Sequence, residues 1–383
     1  MTAQQQHIPH ALSNGTDYEQ LAARFRPIFS RIAAGALERE RTRSLPYEPV
    51  KWLKEAGFGA VRVPVQYGGA GASLPQLFQL LIELAEADSN LPQALRGHFA
   101  FVEDRLNAHA SAPQDVWFKR FLDGDLVGNA WTEVGAVKLG QVITRVSRQG
   151  DQWRVNGTKY YSTGSIFADW IDLYAQRDDT GGDVIAAVRV QQPGITLSDD
   201  WDGFGQRTTG SGTSVFDNVV VEDENLFDFA TRFKYQTAFY QLVLLAVLVG
   251  SGRAAVRDIA DEVRKRTRIF STGNAAAASD DAQVQQVVGK PRPKPMPPRP
   301  PRYVQPLPRS APTRATLARM QTPSVPPTLP PNWSRLKARW SLPSWSCAPP
   351  ATCSTRSARR PPAPANCLTV IGATPAQPPH TTR

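Results

Sequence analysis

Trp153-Arg-Val-Asn-Gly-Thr-Lys-Tyr-Tyr-Ser-Thr-Gly164 belongs to a region in which the chain abandons the helical period of its first third. Upstream, Val142, Thr144 and Val146 fall on one face of a strand-like run, and the turn Gln149-Gly150-Asp151 leads into Trp153. Such alternation marks a half-buried strand, because successive side chains point to opposite faces. Asp183 to Val190 and Thr213 to Val221 have a similar composition, rich in Val, Ile and Thr, and Asn156-Gly157 and Gly181-Gly182 are expected turns. Residues 125–228 therefore read as a β domain.

Helices flank it. Tyr18 to Glu40 carries Leu21, Phe25, Ile28, Ile32 and Ala36 at three- and four-residue steps, with a kink or break expected at Pro27. Tyr47 to Ala56 predicts a short helix, ended by Gly57. Ser73 reads as an N-cap, with Gln76 completing a capping box, before a helix that sets Leu77, Leu80, Leu81, Leu84 and Ala85 on one side. Leu91 to Ala108 and Pro113 to Leu122 read as two more, and helical pattern resumes from Arg232 to Val263 and from Ala282 to Val288. The fold class is α+β: a disordered start (1–17), an N-terminal helical domain (18–124), the β domain, and the start of a C-terminal helical domain (229–290).

At Lys290 the composition breaks. All 34 acidic residues precede it, while 24 of the 33 prolines, 14 of the 44 Lys and Arg residues and all three cysteines follow it. The net charge is therefore −4 up to Lys290 and +14 beyond it, so the overall +10 belongs to the tail (291–383). Proline at this density forbids helix, and the segment reads as a disordered Pro/Arg-rich tail. Shifting the reading frame by one base permits an Ala- and Leu-rich sequence that regains acidic residues, so a frameshift near Lys290 is the expected origin of the tail.

Other signals bound the function. No phosphate-binding loop occurs: Tyr67-Gly68-Gly69-Ala70-Gly71 lacks the strand–turn–helix context and reads as a turn before the Ser73 cap. No His or Cys spacing suits zinc. Residues 1–290 hold no cysteine, the first residues lack the pattern of a secretion signal, and the apolar run Leu242 to Val249 is short of a bilayer's thickness. A soluble cytoplasmic protein without membrane partners is the expectation.

Three strings in order carry a resemblance: Gly128-Asn-Ala-Trp-Thr-Glu133, then Val155 to Gly164, then Asp200-Trp-Asp-Gly-Phe-Gly-Gln-Arg-Thr-Thr-Gly-Ser-Gly-Thr213. Together they resemble the acyl-CoA dehydrogenase superfamily, and within it the flavin-dependent monooxygenase branch typified by dibenzothiophene monooxygenase and the sulfur-acquisition oxidoreductases. Tyr67-Gly-Gly69, Gly97-His98 and Arg266-Thr-Arg-Ile-Phe270 fall where that branch has similar segments. Each string alone is weak; their order is the specific signal, and it covers Tyr18 to Lys290.

The resemblance implies an acyl-CoA dehydrogenase-like fold whose C-terminal helices build a homotetramer and close the flavin site. It implies a two-component monooxygenase acting with O2 on a small, organosulfur substrate, with reduced FMN supplied by a separate flavin reductase. Asn129, Ala130, Trp131, Thr132 and Glu133 would form one flavin loop, and Lys159, Tyr160, Tyr161, Ser162 and Thr163 the other. The Thr163 hydroxyl would lie beside the reactive ring edge, Trp131 (the favoured of the two) or Trp201 against the ring and Arg268 on the phosphate, with His98 donating a proton or positioning the substrate. The residues alone leave plainer roles open: a strand-end hydroxyl for Thr163, a core histidine for His98, a core indole for Trp131 or Trp201, a solvated arginine for Arg268. An FAD-dependent acyl-CoA dehydrogenase is the alternative enzyme, though no readable glutamate stands out as its base. Binding of nucleic acid or another partner through the basic tail and Trp333, Trp340 and Trp345 is the alternative of another class. With its tail out of frame, the chain is expected to fold in part and to be inactive.

Overall fold

The computed structural model describes residues 17–135, 141–268, 273 and 275–289. The expectations for the N-terminus up to residue 16, for the tail and for its altered frame lie outside the described residues.

Among the described residues six α-helices come first: α1 (Tyr18–Thr42), α2 (Tyr47–Glu55), α3 (Leu74–Ala87), α4 (Asn90–Ala94), α5 (Arg96–His109) and α6 (Asp115–Leu122). The capping box forms as the residues predict, Ser73 accepting from the Gln76 amide and Gln76 accepting from the Ser73 amide. It starts α3 where Leu77, Leu80, Leu81 and Leu84 can share one fully buried face, each worth about 1.5–3 kcal/mol on burial. Pro27 does not break α1: Phe25 and Phe29 on either side of it pack edge-on against Phe58, at 5.0 and 5.7 Å, and hold the segment helical despite the lost donor. The single helix expected from Leu91 to Ala108 is interrupted instead at Leu95, beside the point where the Ala94 carbonyl meets Gly164 of the β domain.

Among the described residues nine strands follow: β1 (Val127–Ala130), β2 (Thr132–Glu133), β3 (Arg145–Gln149), β4 (Gln152–Tyr160), β5 (Trp170–Arg177), β6 (Asp183–Arg189), β7 (Ile195–Leu197), β8 (Ser214–Val221) and β9 (Leu226–Asp228). They form one mixed sheet in the order β7-β8-β4-β3-β5-β6-β9, with β1 parallel to β5 and β2 antiparallel to β4. Gly181-Gly182 turns the chain from β5 into β6 as expected. Asn156-Gly157 does not turn it. That pair lies inside β4 at a register shift, where a Cβ on residue 157 would sit 2.4 Å from Thr144 Oγ1. Glycine here permits a close backbone approach, the other reason for a glycine in a strand.

After the sheet, α7 (Gln236–Lys265) returns to the helical layer and packs on α3 through Phe239, Val243, Ala246 and Val247; α8 (Ala282–Gly289) ends the described chain. Among the described residues α7 is the one helix long and apolar enough, by length and composition, to cross a bilayer. Its apolar sequence exceeds the Leu242–Val249 run because it serves two faces: one buried on α3, the other leaving Leu242, Leu245 and Leu248 exposed. A separate apolar layer, with Phe101, Trp117 and Phe121 against Trp170 and Ile185, joins α5 and α6 to the sheet.

Candidate functional site

Three segments are stitched together by their backbones: β1 into β2 (129–133), the end of β4 with the turn after it (159–165), and the loop before β8 (206–213). The Ser162 amide donates to Gly212 O at 3.1 Å, the Gly164 amide to Thr209 O at 3.1 Å, and Ser165 Oγ to Asn129 O at 3.1 Å. Gly164 has φ 79°, and a Cβ there would stand 2.0 Å from Ala94 O, so only glycine lets this turn rest against the α4 end. Two residues with side chains also adopt the left-handed region, Tyr161 at φ 56° and Gln206 at φ 54°. Such conformations store about 1–3 kcal/mol and gather at functional loops.

The candidate residues divide into groups. Asn129, Ser162 and Thr163 lie together, buried, where the three segments meet. Among the described residues, Asn129 Oδ1 and Ser162 Oγ are buried without a hydrogen-bond partner. Thr163 Oγ1 contacts Ser211 Oγ at 2.8 Å, Ser211 Oγ contacts Thr209 Oγ1 at 2.7 Å, and Thr209 Oγ1 donates to Gln206 O at 2.9 Å. Tyr161 presents a half-exposed ring, 4.6 Å from that of Tyr160 and 5.6 Å from Trp201. Thr132 is exposed and pairs in register with Tyr160.

Other candidates are consumed by the fold. Ala130 is wholly buried in the sheet core. Lys159 is 0 % exposed and donates to Glu133 Oε1 at 2.6 Å, while Glu133 also accepts from the Ile143 and Thr144 amides and the Thr144 hydroxyl. Lys159 and Tyr160 thus belong to a strand rather than a loop, and burial pulls the Lys159 ammonium pKa down against the pull of Glu133. Trp131 packs in a box of Tyr174, Phe229 and Tyr240 with the Arg232 guanidinium 4.8 Å above its ring. Arg268 is exposed beyond α7 and lines a small cavity of about 90 Å³ with Arg266, Asp281 and Val284, none of which belongs to the three segments.

His98 is wholly buried, and both ring nitrogens face backbone: Nε2 meets Gly59 O at 2.9 Å and Nδ1 accepts from the Val127 amide at 3.2 Å. A carbonyl accepts and an amide donates, so the proton sits on Nε2 and the ring is neutral. Its place is the joint between α5, the Phe58 turn and β1, and the expected role of proton donor or substrate positioner would require a ring nitrogen released from these backbone contacts. Burial lowers its pKa from 6.5 to about 4. The unfolded chain then takes up the proton first as pH falls, so this stability is complete above pH 6.5 and is lost on the way down to about 4. Between pH 7 and pH 5 the wild type should lose roughly 2 kcal/mol that His98→Gln does not. Urea unfolding at the two pH values checks this; parallel losses in both proteins would refute it.

Residues that sequence reasoning did not assign include Thr209, Ser211, Asp172 and Arg232. Asp172, wholly buried on β5, receives Arg232 Nη2 at 2.6 Å, and Arg232 also lies 4.0 Å from Asp104 on α5. Burial raises the Asp172 carboxyl pKa, and the facing guanidinium opposes that.

Two family models match the chain: the acyl-CoA dehydrogenase N-terminal domain over residues 16–125 and the middle domain over 129–219. Dibenzothiophene monooxygenase of Rhodococcus qingshengii is 24 % identical over 271 residues, which is 65 % of this chain and 63 % of that one. The alignment thus spans under two thirds of that relative's length. A probable FMNH2-dependent monooxygenase, SfnC of Pseudomonas putida, is 27 % identical over 275 residues, 69 % of this chain and 67 % of its own. The solved complex of TdsC from Paenibacillus sp. A11-2 with FMN and indole superposes with a TM-score of 0.64 at 25 % identity, covering 72 % of each chain.

Proposed function

Because the chain belongs to the acyl-CoA dehydrogenase superfamily, we propose that it descends from, and retains the flavin site of, a two-component monooxygenase using reduced FMN and O2 on a small organosulfur compound. The observation that carries this reading is the junction of the three segments. Asn129 Oδ1 and Ser162 Oγ, buried without partners among the described residues, flank Thr163 there. Buried polar atoms are nearly always satisfied, and the donors and acceptors of a flavin ring edge supply what these atoms lack. The likeness to FMN-binding TdsC and FMNH2-dependent SfnC favours FMN over FAD.

A bound reduced flavin would supply the electrons that let O2 deliver one oxygen atom to sulfur. The chain's own task is to fix the ring edge, with Asn129, Ser162 and Thr163 as polar contacts, Tyr161 and Trp201 as flanking rings, and the Trp131 box behind them. A separate flavin reductase is the implied partner, and the exposed Leu242, Leu245 and Leu248 face of α7 suits assembly into a homo-oligomer. The acyl-CoA dehydrogenase alternative needs a carboxylate base; Glu133 and Asp172 are each committed to a buried ion pair, and Asp200 to the Thr213 amide and hydroxyl.

The test begins with binding. The full chain should bind reduced FMN; failure to bind either FMN or FAD refutes a retained flavin site, and bleaching of tightly bound FAD by an acyl-CoA would select the dehydrogenase. With the tail restored to the shifted frame, Thr163→Ala should lower oxygen transfer about 100-fold. Reduced-FMN affinity should change by no more than about tenfold.

A further inference from the structure

The hydroxyls of Thr163, Ser211 and Thr209 are 4 %, 7 % and 0 % exposed, by residue, and stand in a row between two carbonyls. Tyr161 O lies 3.3 Å from Thr163 Oγ1 at one end, and Gln206 O lies 2.9 Å from Thr209 Oγ1 at the other. Between them are the contacts of 2.8 and 2.7 Å. The row has four contacts and three protons. Each hydroxyl donates once, so one contact carries no proton. Thr163 Oγ1 can also donate to Tyr161 O, but at 3.3 Å that contact is the weakest of the four and so the one left without a proton. The protons then run in one direction, Thr163 to Ser211 to Thr209 to Gln206 O, and the Thr163 oxygen keeps both lone pairs.

We propose that Ser211 and Thr209 are positioning residues that hold Thr163 as a hydrogen-bond acceptor, and so make the site prefer a ligand that presents an N–H or O–H there. This rests on the flavin reading of the site. Reduction adds hydrogen to a flavin's ring nitrogens, so the row discriminates between redox states and favours the reduced one. An acceptor on Thr163 would turn the Thr163 and Ser211 protons around and cost the row either the Ser211–Thr209 contact or the bond to Gln206 O. That bond is fixed from its far side by the left-handed backbone at Gln206, which turns this residue's carbonyl to the end of the row.

Thr209→Val keeps the shape and removes the end of the row. The Ser211 proton is left with Thr163 Oγ1 as its acceptor, and Thr163 turns donor. The measurement is fluorescence titration of the full chain with oxidised FMN and, without oxygen, with reduced FMN. The wild type should bind the reduced form more tightly. In Thr209→Val the ratio of the two dissociation constants should shift toward the oxidised form by about three- to tenfold, and Ser211→Ala should shift it likewise. Thr209→Ser, which restores the hydroxyl, should return the wild-type ratio. Loss of packing alone would weaken both redox forms together. A wild type that binds FMN with no preference, or variants that keep the wild-type ratio, overturns the assignment while leaving the flavin reading intact. A wild type that binds neither form overturns both.

Discussion

Asp172→Ala is expected to lower the free energy of unfolding by about 3–5 kcal/mol, because it strands a guanidinium that cannot lose its charge inside the protein. Arg232 is 2 % exposed on its side chain and has few substitutes for the lost carboxylate. Asp104 stands 4.0 Å away, but its Oδ2 already receives Arg105 at 2.5 Å and its Oδ1 the Phe233 amide at 3.1 Å. The Trp131 face attracts the cation without accepting an ordinary hydrogen bond, and the Gln236 amide oxygen takes only Nε, at 2.9 Å. Asp172→Asn keeps an acceptor of the same shape and should cost less than the alanine variant. Urea unfolding of the three proteins reads the order directly; an alanine variant within about 1 kcal/mol of wild type would show that the pair is dispensable. The consequence reaches beyond stability, since Asp172 sits on β5, Asp104 on α5 and Arg232 just before α7. One buried ion cluster therefore fixes where all three regions meet, with Trp131 lying on it.

The sequence exposed the parts of this fold whose chemistry is local. The Ser73 capping box, the leucine face of α3 and the Gly181-Gly182 turn depend on neighbours a few residues away, and each forms as read. Features decided by distant partners were not legible. Trp170 to Arg177 is buried along most of its length as a central strand, so it shows no alternation to read. Asn156-Gly157 has the composition of a turn, and only Thr144, met across the sheet, explains why a glycine stands there inside a strand. Pro27 signals a kink or a break, and two phenylalanines on Phe58 keep the helix unbroken. The site divides the same way. The three strings of the resemblance do converge, and Asn129, Ser162 and Thr163 meet where they cross. His98, Lys159, Glu133 and Ala130 turn out to be occupied by backbone, by each other or by the sheet core, which no spacing in the sequence could reveal. Thr209 and Ser211 were in view within Arg207-Thr-Thr-Gly-Ser-Gly-Thr213, but a row of hydroxyls between two carbonyls is a three-dimensional fact.

Glu133→Leu should destabilise the chain by about 3–5 kcal/mol near neutral pH, and Lys159→Met by clearly less. The asymmetry follows from what each partner keeps. Without Lys159, the Glu133 carboxylate still accepts two backbone amides at 3.1 Å and the Thr144 hydroxyl at 3.0 Å. Without Glu133, the Lys159 ammonium is 0 % exposed and retains Trp131 O at 3.3 Å. It would shed its proton rather than stay charged, as burial already lowers its pKa in the wild type. Its folded pKa in Glu133→Leu then lies below the unfolded one, so the unfolded state holds more protons in between and stability rises with pH. The deficit of Glu133→Leu against wild type should therefore shrink from pH 7 toward pH 10, while that of Lys159→Met should not. The double variant, with both charges gone, should recover part of the loss at pH 7. A Glu133→Leu deficit that stays constant over this range would mean the lysine keeps its charge by reaching water, and the closed wall behind Trp131 and Thr132 would not exist in solution. That wall is the seam between β2 and β4, where Thr132 pairs with Tyr160 and Glu133 with Lys159. On the proposed flavin reading, opening it should also weaken reduced-FMN binding, since the two strands carry the segments that meet at Thr163.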